Sequence, residues 1–138
     1  MPTIRLMITA ATLALSTGTL GAQQGTAPAA APPALTRTVL VQKTLSAPGR
    51  EGVLVRAELV AGGTSVRHTH PGEEFGYVLD GTATFDIAGQ PTQLLKAGDS
   101  FFIPPNTPHI AHNPGTTPLK LISTYIVETG KPLSTPAP

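Results

Sequence analysis

Short runs of β-branched and other apolar residues make up the chain from about residue 35 to residue 128, and Gly, Pro, Asn or Asp-Gly separates nearly every pair of runs. None of the runs shows the 3.6-residue period of an amphipathic helix. Roughly nine short strands with turn residues between them are typical of a β-sandwich or a closed barrel. The pattern therefore predicts an all-β fold.

Two features of this pattern allow finer predictions. Asp80-Gly81 separates two strand-like runs, and because Asp-Gly accepts the positive φ of a type I′ turn, a hairpin is predicted there. In an extended segment after Glu74, the alternate residues Gly76 and Val78 face the same side as that carboxylate. Both are small, which favours an open pocket next to that carboxylate.

The two ends of the chain differ in composition from the body. Residues 1–22 contain one cation, then an apolar stretch and small residues, which predicts a signal peptide cleaved after Ala22. A membrane anchor is the alternative, but several Ser and Thr residues interrupt a stretch shorter than the roughly 20 residues that span a bilayer. Residues 23–34, rich in Ala and Pro, predict a disordered linker, and 131–138 predict a flexible tail, either mobile or laid along the surface. We expect a periplasmic or secreted protein without stable membrane insertion after cleavage.

Length and charge narrow the classes of function. The 138 residues suffice for one folded domain, expected over 35–130. Lys and Arg number 9 against 8 Asp and Glu, and removal of Arg5 with the signal peptide leaves 8 against 8. No basic run is present, so nucleic-acid binding is not expected. Because the chain has no cysteine, its stability must come from its core or from a bound metal.

The four histidines fall into two tight groups. His68 and His70 are two apart, so on a strand both imidazoles point to one side. Glu74 follows after a bend expected at Pro71-Gly72, and His109 arrives from a distant strand. Three imidazoles and one carboxylate suit a divalent first-row metal and leave one or two coordination positions open, whereas structural zinc sites are closed and usually contain thiolates. The sequence therefore predicts an open metal site at these four residues.

Two neighbouring residues are expected outside this site. Glu73 points to the opposite side from Glu74 in an extended segment, which indicates a solvated surface acid. His112 lies three residues beyond His109, hence on the opposite face of a strand, and we expect a polar surface residue there.

Two motifs in the chain resemble those of the cupin superfamily of small jelly-roll β-barrels. The first, G-x5-H-x-H-x3,4-E-x6-G, is matched at every position from Gly62 to Gly81. The second, G-x5-P-x-G-x2-H-x3-N, runs from Gly98 to Asn113 with one departure, Asn106 in a glycine position. That glycine allows a left-handed turn, and Asn is the next residue best able to adopt one. The departure therefore leaves the metal hypothesis intact.

The resemblance implies a single-domain cupin with one metal ion (Fe, Mn, Ni, Cu, Co or Zn) held by His68, His70, Glu74 and His109. It also implies a small-molecule ligand or substrate and a homodimer. An enzyme of this type would be a dioxygenase-like oxidoreductase, or use other Lewis-acid chemistry, on an enol, diketone or phenolic substrate, with Glu74 as catalytic base. Oxalate-type and sugar-nucleotide epimerase chemistry are less favoured. The alternative is a non-catalytic exported cupin that binds a small ligand and keeps a structural metal.

Overall fold

The structure, a computed structural model, describes residues 33–138, and this range contains ten strands. The predicted signal peptide and all but the last two residues of the predicted linker lie outside the described residues. The strands are β1 (Leu35–Thr44), β2 (Arg50–Leu59), β3 (His68–Thr69), β4 (Gly72–Asp80), β5 (Thr82–Ile87), β6 (Gln93–Lys96), β7 (Ser100–Ile103), β8 (His109–His112), β9 (Leu119–Glu128) and β10 (Thr135–Pro136). The all-β prediction is confirmed, and each of the nine apolar runs in the sequence corresponds to one of the strands β1 to β9.

The strands form two antiparallel five-stranded sheets. The first has the order β1-β2-β9-β4-β7 and the second the order β10-β3-β8-β5-β6. Alternate residues of β2, β4 and β9 are buried, as expected for strands with one face on a core. The main core cluster contains side chains from both sheets, for example Leu59, Val78 and Leu121 from the first and Phe85 and Ala111 from the second. The interior of the fold therefore lies between the two sheets.

The predicted hairpin at Asp80-Gly81 is wrong. β4 pairs with β7 and β9, whereas β5 pairs with β6 and β8, so this turn carries the chain from one sheet to the other. A type I′ turn needs positive φ at both central residues. Here Gly81 has a φ of 86°, but among the described non-glycine residues only Asn106 has a positive φ.

Gly76 and Val78, the small residues that favoured an open pocket beside Glu74, do not line the cavity found there. Gly76 lies opposite Phe101 in the β4–β7 pair, and a Cβ at this glycine would run into the Phe101 ring. Val78 is fully buried in the core cluster. The small residue thus makes room for an aromatic ring of the neighbouring strand, not for a ligand.

The C-terminal residues 131–138 run along the edge of the second sheet. Thr135 and Pro136 form β10 and pair with Thr69 and His68 of β3. The Ala137 N–H donates to the Arg67 carbonyl oxygen at 3.0 Å. Of the two placements expected for the tail, the described one follows the surface, and it brings the tail next to a predicted metal ligand.

Among residues 33–138 the structure has no helix with the length and apolar character required to cross a membrane.

Candidate metal centre

The four predicted ligands meet between the two sheets. His68 in β3 is paired directly with His109 in β8, and His70 follows immediately after β3. Glu74 comes from β4 in the opposite sheet. All four side chains are buried. Residues far apart in the chain are thus brought to one place, as the sequence pattern predicts.

The three imidazoles form a compact cluster. Each can offer one ring nitrogen such that the three nitrogens lie within 4.8 Å of one another, and no other such group is found in the described range. The Glu74 Oε2 atom lies 3.1 Å from His70 Nε2 and 3.6 Å from His109 Nε2. Three buried histidines can therefore hold a metal ion, and the carboxylate is beside two of them.

Backbone carbonyl groups orient all three rings. His68 Nδ1 contacts the Val66 oxygen at 2.7 Å and His109 Nδ1 contacts the Thr107 oxygen at 2.9 Å. His70 Nδ1 contacts the carbonyl oxygen of Leu133 in the C-terminal tail. A carbonyl oxygen only accepts hydrogen bonds, so in each case Nδ1 carries the hydrogen and donates. In the neutral rings, Nε2 then has a free lone pair, which is the arrangement that metal-binding histidines require.

One of these lone pairs has no partner. His70 Nε2 is buried and makes no hydrogen bond. It lies 3.1 Å from an oxygen of the Glu74 carboxylate, which accepts but does not donate when ionised. An acceptor facing an acceptor in a buried site is unfavourable unless a cation or a proton lies between them. The donor set therefore fits a cation that binds the histidines and the carboxylate together.

The charge state of Glu74 agrees with this arrangement. Burial alone would raise the pKa of the Glu74 carboxyl, but the imidazoles of His70 and His109 hold it below its usual value. Tyr125 donates its hydroxyl hydrogen to Glu74 Oε1 at 2.9 Å, which leaves Oε2 facing the histidines. Burial and the nearby carboxylate raise the pKa of Tyr125, so its hydroxyl stays protonated and keeps donating. At neutral pH Glu74 is an ionised, oriented carboxylate.

Burial also affects the protonation of two of the histidines, His68 and His109. It lowers the pKa of His109, and it lowers the pKa of His68 from 6.5 to about 4. A neutral imidazole is the form that binds metal. His68 and His109 are therefore in the metal-binding form at neutral pH.

These shifts predict how the stability of the metal-free protein depends on pH. Below about 6.5 the unfolded chain takes up a proton at His68, whereas the folded chain does so only near 4. The unfolded state thus binds more protons in this interval, and the free energy of unfolding decreases as the pH falls through it. Urea unfolding of chelator-treated protein at several pH values should show this decrease, and His68→Gln should reduce it. A free energy of unfolding that stays constant from pH 6.5 to 4 would contradict the prediction.

The unusual Asn106 of the second motif adopts the conformation expected of it. Its φ is 54°, in the left-handed region, and its N–H donates to the His70 carbonyl oxygen at 2.9 Å. The turn that brings the chain to His109 is thereby tied to the segment carrying His70. Asn113, the last residue of the motif, is fully buried and its amide donates to the carbonyl groups of Leu59, Val60 and Thr117. Its role here is to fix a loop.

The two residues expected outside the site lie outside it. Glu73 is adjacent to Glu74 but is only partly buried, on the other side of β4. His112 Nδ1 contacts the Thr64 hydroxyl at 2.9 Å and belongs to no metal-binding cluster.

Arg37 is a site residue that the sequence analysis did not find. Its Nη2 lies 3.1 Å from His68 Nε2. Nothing near Arg37 in the sequence indicates this contact, because β1 reaches the site only through its pairing with β2.

Two neighbouring cavities adjoin the site. The inner one, of about 30 Å³, is lined by Glu74 and mostly by apolar residues, including Leu59, Phe85 and Leu121. It has space for roughly two water molecules. The outer cleft, of about 460 Å³, is in the size range of small-molecule sites. Four residues line both: Leu35, Arg37, Ser65 and His68.

Two curated proteins match part of the chain. Mannose-1-phosphate guanylyltransferase RfbM of Salmonella typhimurium is 46% identical over 65 residues, which are 44% of this chain and 13% of that protein. The uncharacterized protein MJ1618 of Methanocaldococcus jannaschii is 34% identical over 70 residues, which are 50% of this chain and 55% of that protein. The chain thus spans only a small part of the first relative and about half of the second.

Solved structures share the fold at low sequence identity. A cupin-like protein of Thermotoga maritima has a TM-score of 0.61 at 22% identity, with 75% of each chain covered. Oxalate oxidase in complex with glycolate has a TM-score of 0.61 at 23% identity, covering 76% of this chain and 56% of that one. The polyketide cyclase RemF of Streptomyces resistomycificus has a TM-score of 0.59 at 24% identity, covering 75% and 71%. These likenesses concern the fold alone.

The family model of the cupin domain matches residues 55–125. This segment begins in β2 and ends in β9, and it contains both histidine motifs and all four predicted ligands. With two antiparallel sheets enclosing a buried histidine cluster, the fold agrees with the sequence match. The chain belongs to the cupin family.

Proposed function

We propose that this protein is an exported cupin that binds one divalent transition-metal ion through His68, His70, Glu74 and His109 and uses it to bind and transform a small molecule. The observation that supports this most directly is the buried, unpartnered Nε2 lone pair of His70 facing the Glu74 carboxylate. A divalent cation would satisfy both groups at once. In His68 and His109 the Nε2 lone pair is also free of its own ring hydrogen, so the cation would have three nitrogen ligands.

The residues around the site suit acid–base chemistry on a bound hydroxyl group. When bound, a divalent ion would supply Lewis acidity and lower the pKa of a hydroxyl that binds to it. Glu74 is ionised and its side chain lines the inner cavity, so it can accept the proton that such a hydroxyl releases. The Tyr125 hydrogen bond to Oε1 keeps the carboxylate in this orientation.

The expected substrate is a small enol, diketone or phenolic compound, with dioxygenase-like or other Lewis-acid chemistry. The names of two neighbours in fold, an oxalate oxidase and a polyketide cyclase, indicate that such folds serve reactions of small oxygen-rich molecules. The outer cleft has the volume for a molecule of this kind. A non-catalytic ligand-binding cupin with a structural metal is the second candidate, and the small volume of the inner cavity favours it.

Glu74→Gln distinguishes the two candidates. Metal-loaded wild-type protein is first screened for turnover of enols, diketones and phenolics by oxygen uptake and by product mass. Since Gln neither accepts the proton nor carries charge, we expect the variant to lose at least about 100-fold in kcat, the lower range for a general base. Glu73→Gln changes the adjacent, outward carboxylate and should keep full activity. Full activity in Glu74→Gln would rule out Glu74 as the general base. If wild-type protein turns over none of the compounds, the result would support the non-catalytic binding protein.

The expected homodimer has a candidate surface on the outer face of the first sheet. Phe75, Tyr77 and Phe102 are large and exposed there, and the rings of Phe75 and Phe102 pack with centroids 5.0 Å apart. Exposed apolar patches of this kind are typical of interaction sites. We expect light scattering to give twice the mass of one chain, and Phe75→Lys with Phe102→Lys to give a monomer. A monomeric wild-type protein would contradict the proposal.

A further inference from the structure

The Arg37 guanidinium contacts the metal centre, although Arg37 as a whole is an exposed residue. It lies on β1 opposite Ala57 of β2, and Ala57 is buried, so this side of the strand faces the space between the sheets. The Arg37 Nη2 atom is 3.1 Å from His68 Nε2. Within the described residues this is the one hydrogen bond of the guanidinium, and no carboxylate forms an ion pair with it.

This contact uses the lone pair that a metal would need. His68 Nδ1 donates to the Val66 carbonyl, so Nε2 is the acceptor, and Arg37 donates to it. One lone pair cannot accept the guanidinium hydrogen and bind a metal ion at the same time. With a metal bound, Arg37 must therefore turn away from His68 and lose this partner.

With a metal bound, the charges around the site favour an anion next to Arg37. Among the described residues that line the two cavities, it is the one with a permanent positive charge, and Glu74 is the one carboxylate. With a divalent ion, one carboxylate and one guanidinium, the formal charge is +2 − 1 + 1 = +2. This imbalance favours a negatively charged ligand.

The position of Arg37 indicates which part of the ligand would carry the negative charge. Arg37 lines both the inner cavity and the outer cleft. A guanidinium has a planar set of donors that matches a carboxylate with two parallel hydrogen bonds. A ligand lying in the cleft can therefore place a carboxylate on Arg37 while another of its oxygens reaches the metal site.

We propose that Arg37 binds the carboxylate of the substrate, so that the substrates of this protein are small organic acids. The proposal rests on the metal site of the proposed function and adds the substrate class and a specificity-determining residue. The proposal also gives Arg37 a second effect. Its guanidinium competes with the metal for His68, and binding of the acid to Arg37 removes this competition. Metal and acid then bind with positive cooperativity.

Binding of Co²⁺ and of two simple acids tests this proposal. Wild-type protein without a histidine tag is titrated with Co²⁺, and its visible spectrum is then followed during titration with benzoate and acetate. Benzamide serves as the neutral counterpart of benzoate. Arg37→Gln removes the charge, Arg37→Lys keeps the charge without the planar donor pair, and Arg56→Gln makes the same charge change on the outer face of β2, where the side chain is exposed.

We expect Arg37→Gln to bind Co²⁺ at least as tightly as wild type, because the competitor for His68 is gone. Its affinity for both acids should fall by about 10- to 100-fold, as for loss of a charge-assisted hydrogen bond. Arg37→Lys should be intermediate, Arg56→Gln should match wild type, and benzamide affinity should not depend on Arg37. Equal acid affinity in wild type and Arg37→Gln, or no acid binding to Co²⁺-loaded wild type, would overturn the proposal and leave the metal site standing. Failure of wild type to bind Co²⁺ would overturn both.

Discussion

The His109→Ala variant is expected to fold and to lose its metal. His109 supplies one of three nitrogens that lie within 4.8 Å of one another, and its Nε2 is 3.6 Å from the Glu74 carboxylate. Alanine leaves two nitrogens and one carboxylate, which is one ligand fewer than the four of the proposed centre. We expect the affinity for metal to fall by more than the roughly 10- to 100-fold typical of changes to residues that only orient a ligand.

Elemental analysis of protein purified without a histidine tag measures this effect. Wild type should contain about one transition-metal ion per chain, and His109→Ala well below about a tenth of that. His112→Ala is the matched control, since this histidine contacts Thr64 and belongs to no cluster. Equal metal content in wild type and His109→Ala would contradict the proposed centre. The metal found in wild type also guides the substrate screen: iron, manganese, nickel or copper favours oxygen chemistry, and zinc favours Lewis-acid chemistry or a structural role.

The parts of this fold that the sequence predicts are those set by local spacing. Alternation and turn residues define β1 to β9, because a strand must present alternate side chains to the core. The two-residue spacing of His68 and His70 places both rings on one side for the same reason. The left-handed conformation of Asn106 follows from the intrinsic preference of its side chain.

Local spacing does not determine which sheet a strand joins. Asp80-Gly81 has the composition of a hairpin turn, yet β4 and β5 belong to different sheets because each pairs with strands from elsewhere in the chain. The space beside Gly76 is likewise occupied by a ring from β7. Such pairings depend on contacts between distant segments, which a single sequence does not encode in any short pattern.

The same limit explains why the sequence does not predict two contacts to the histidines of the metal centre. Arg37 is 31 residues before His68, and Leu133 is 63 residues after His70. Leu133 contributes its backbone carbonyl, which every residue has, so the residue type at this position does not predict the contact. Both segments have ordinary compositions, and their importance is visible only in the folded chain. The C-terminal tail, which the sequence predicts to be flexible, is a part of the structure whose removal has a large predicted effect.

Deletion of residues 131–138 is expected to weaken metal binding by about 10- to 100-fold, the typical effect of losing a group that orients a ligand. The Leu133 carbonyl accepts the hydrogen of His70 Nδ1 and so fixes the ring with Nε2 toward Glu74. The deletion also removes β10 from the edge of β3, which carries His68. Metal affinity is measured by competition with a chelator, and circular dichroism checks that the barrel remains folded.

Two control variants separate the carbonyl from the rest of the tail. Deletion of residues 137–138 alone keeps both the Leu133 carbonyl and β10, so metal affinity should stay near the wild-type value. Leu133→Ala keeps the carbonyl and removes a side chain that packs against the cluster of Val53, Val55, Tyr125 and Val127. It should lower the free energy of unfolding with little change in metal affinity, provided that the backbone of the tail stays in place. If the full deletion binds metal as tightly as wild type, the Leu133 carbonyl has no role in the centre, and the orientation of His70 must come from the turn held by Asn106.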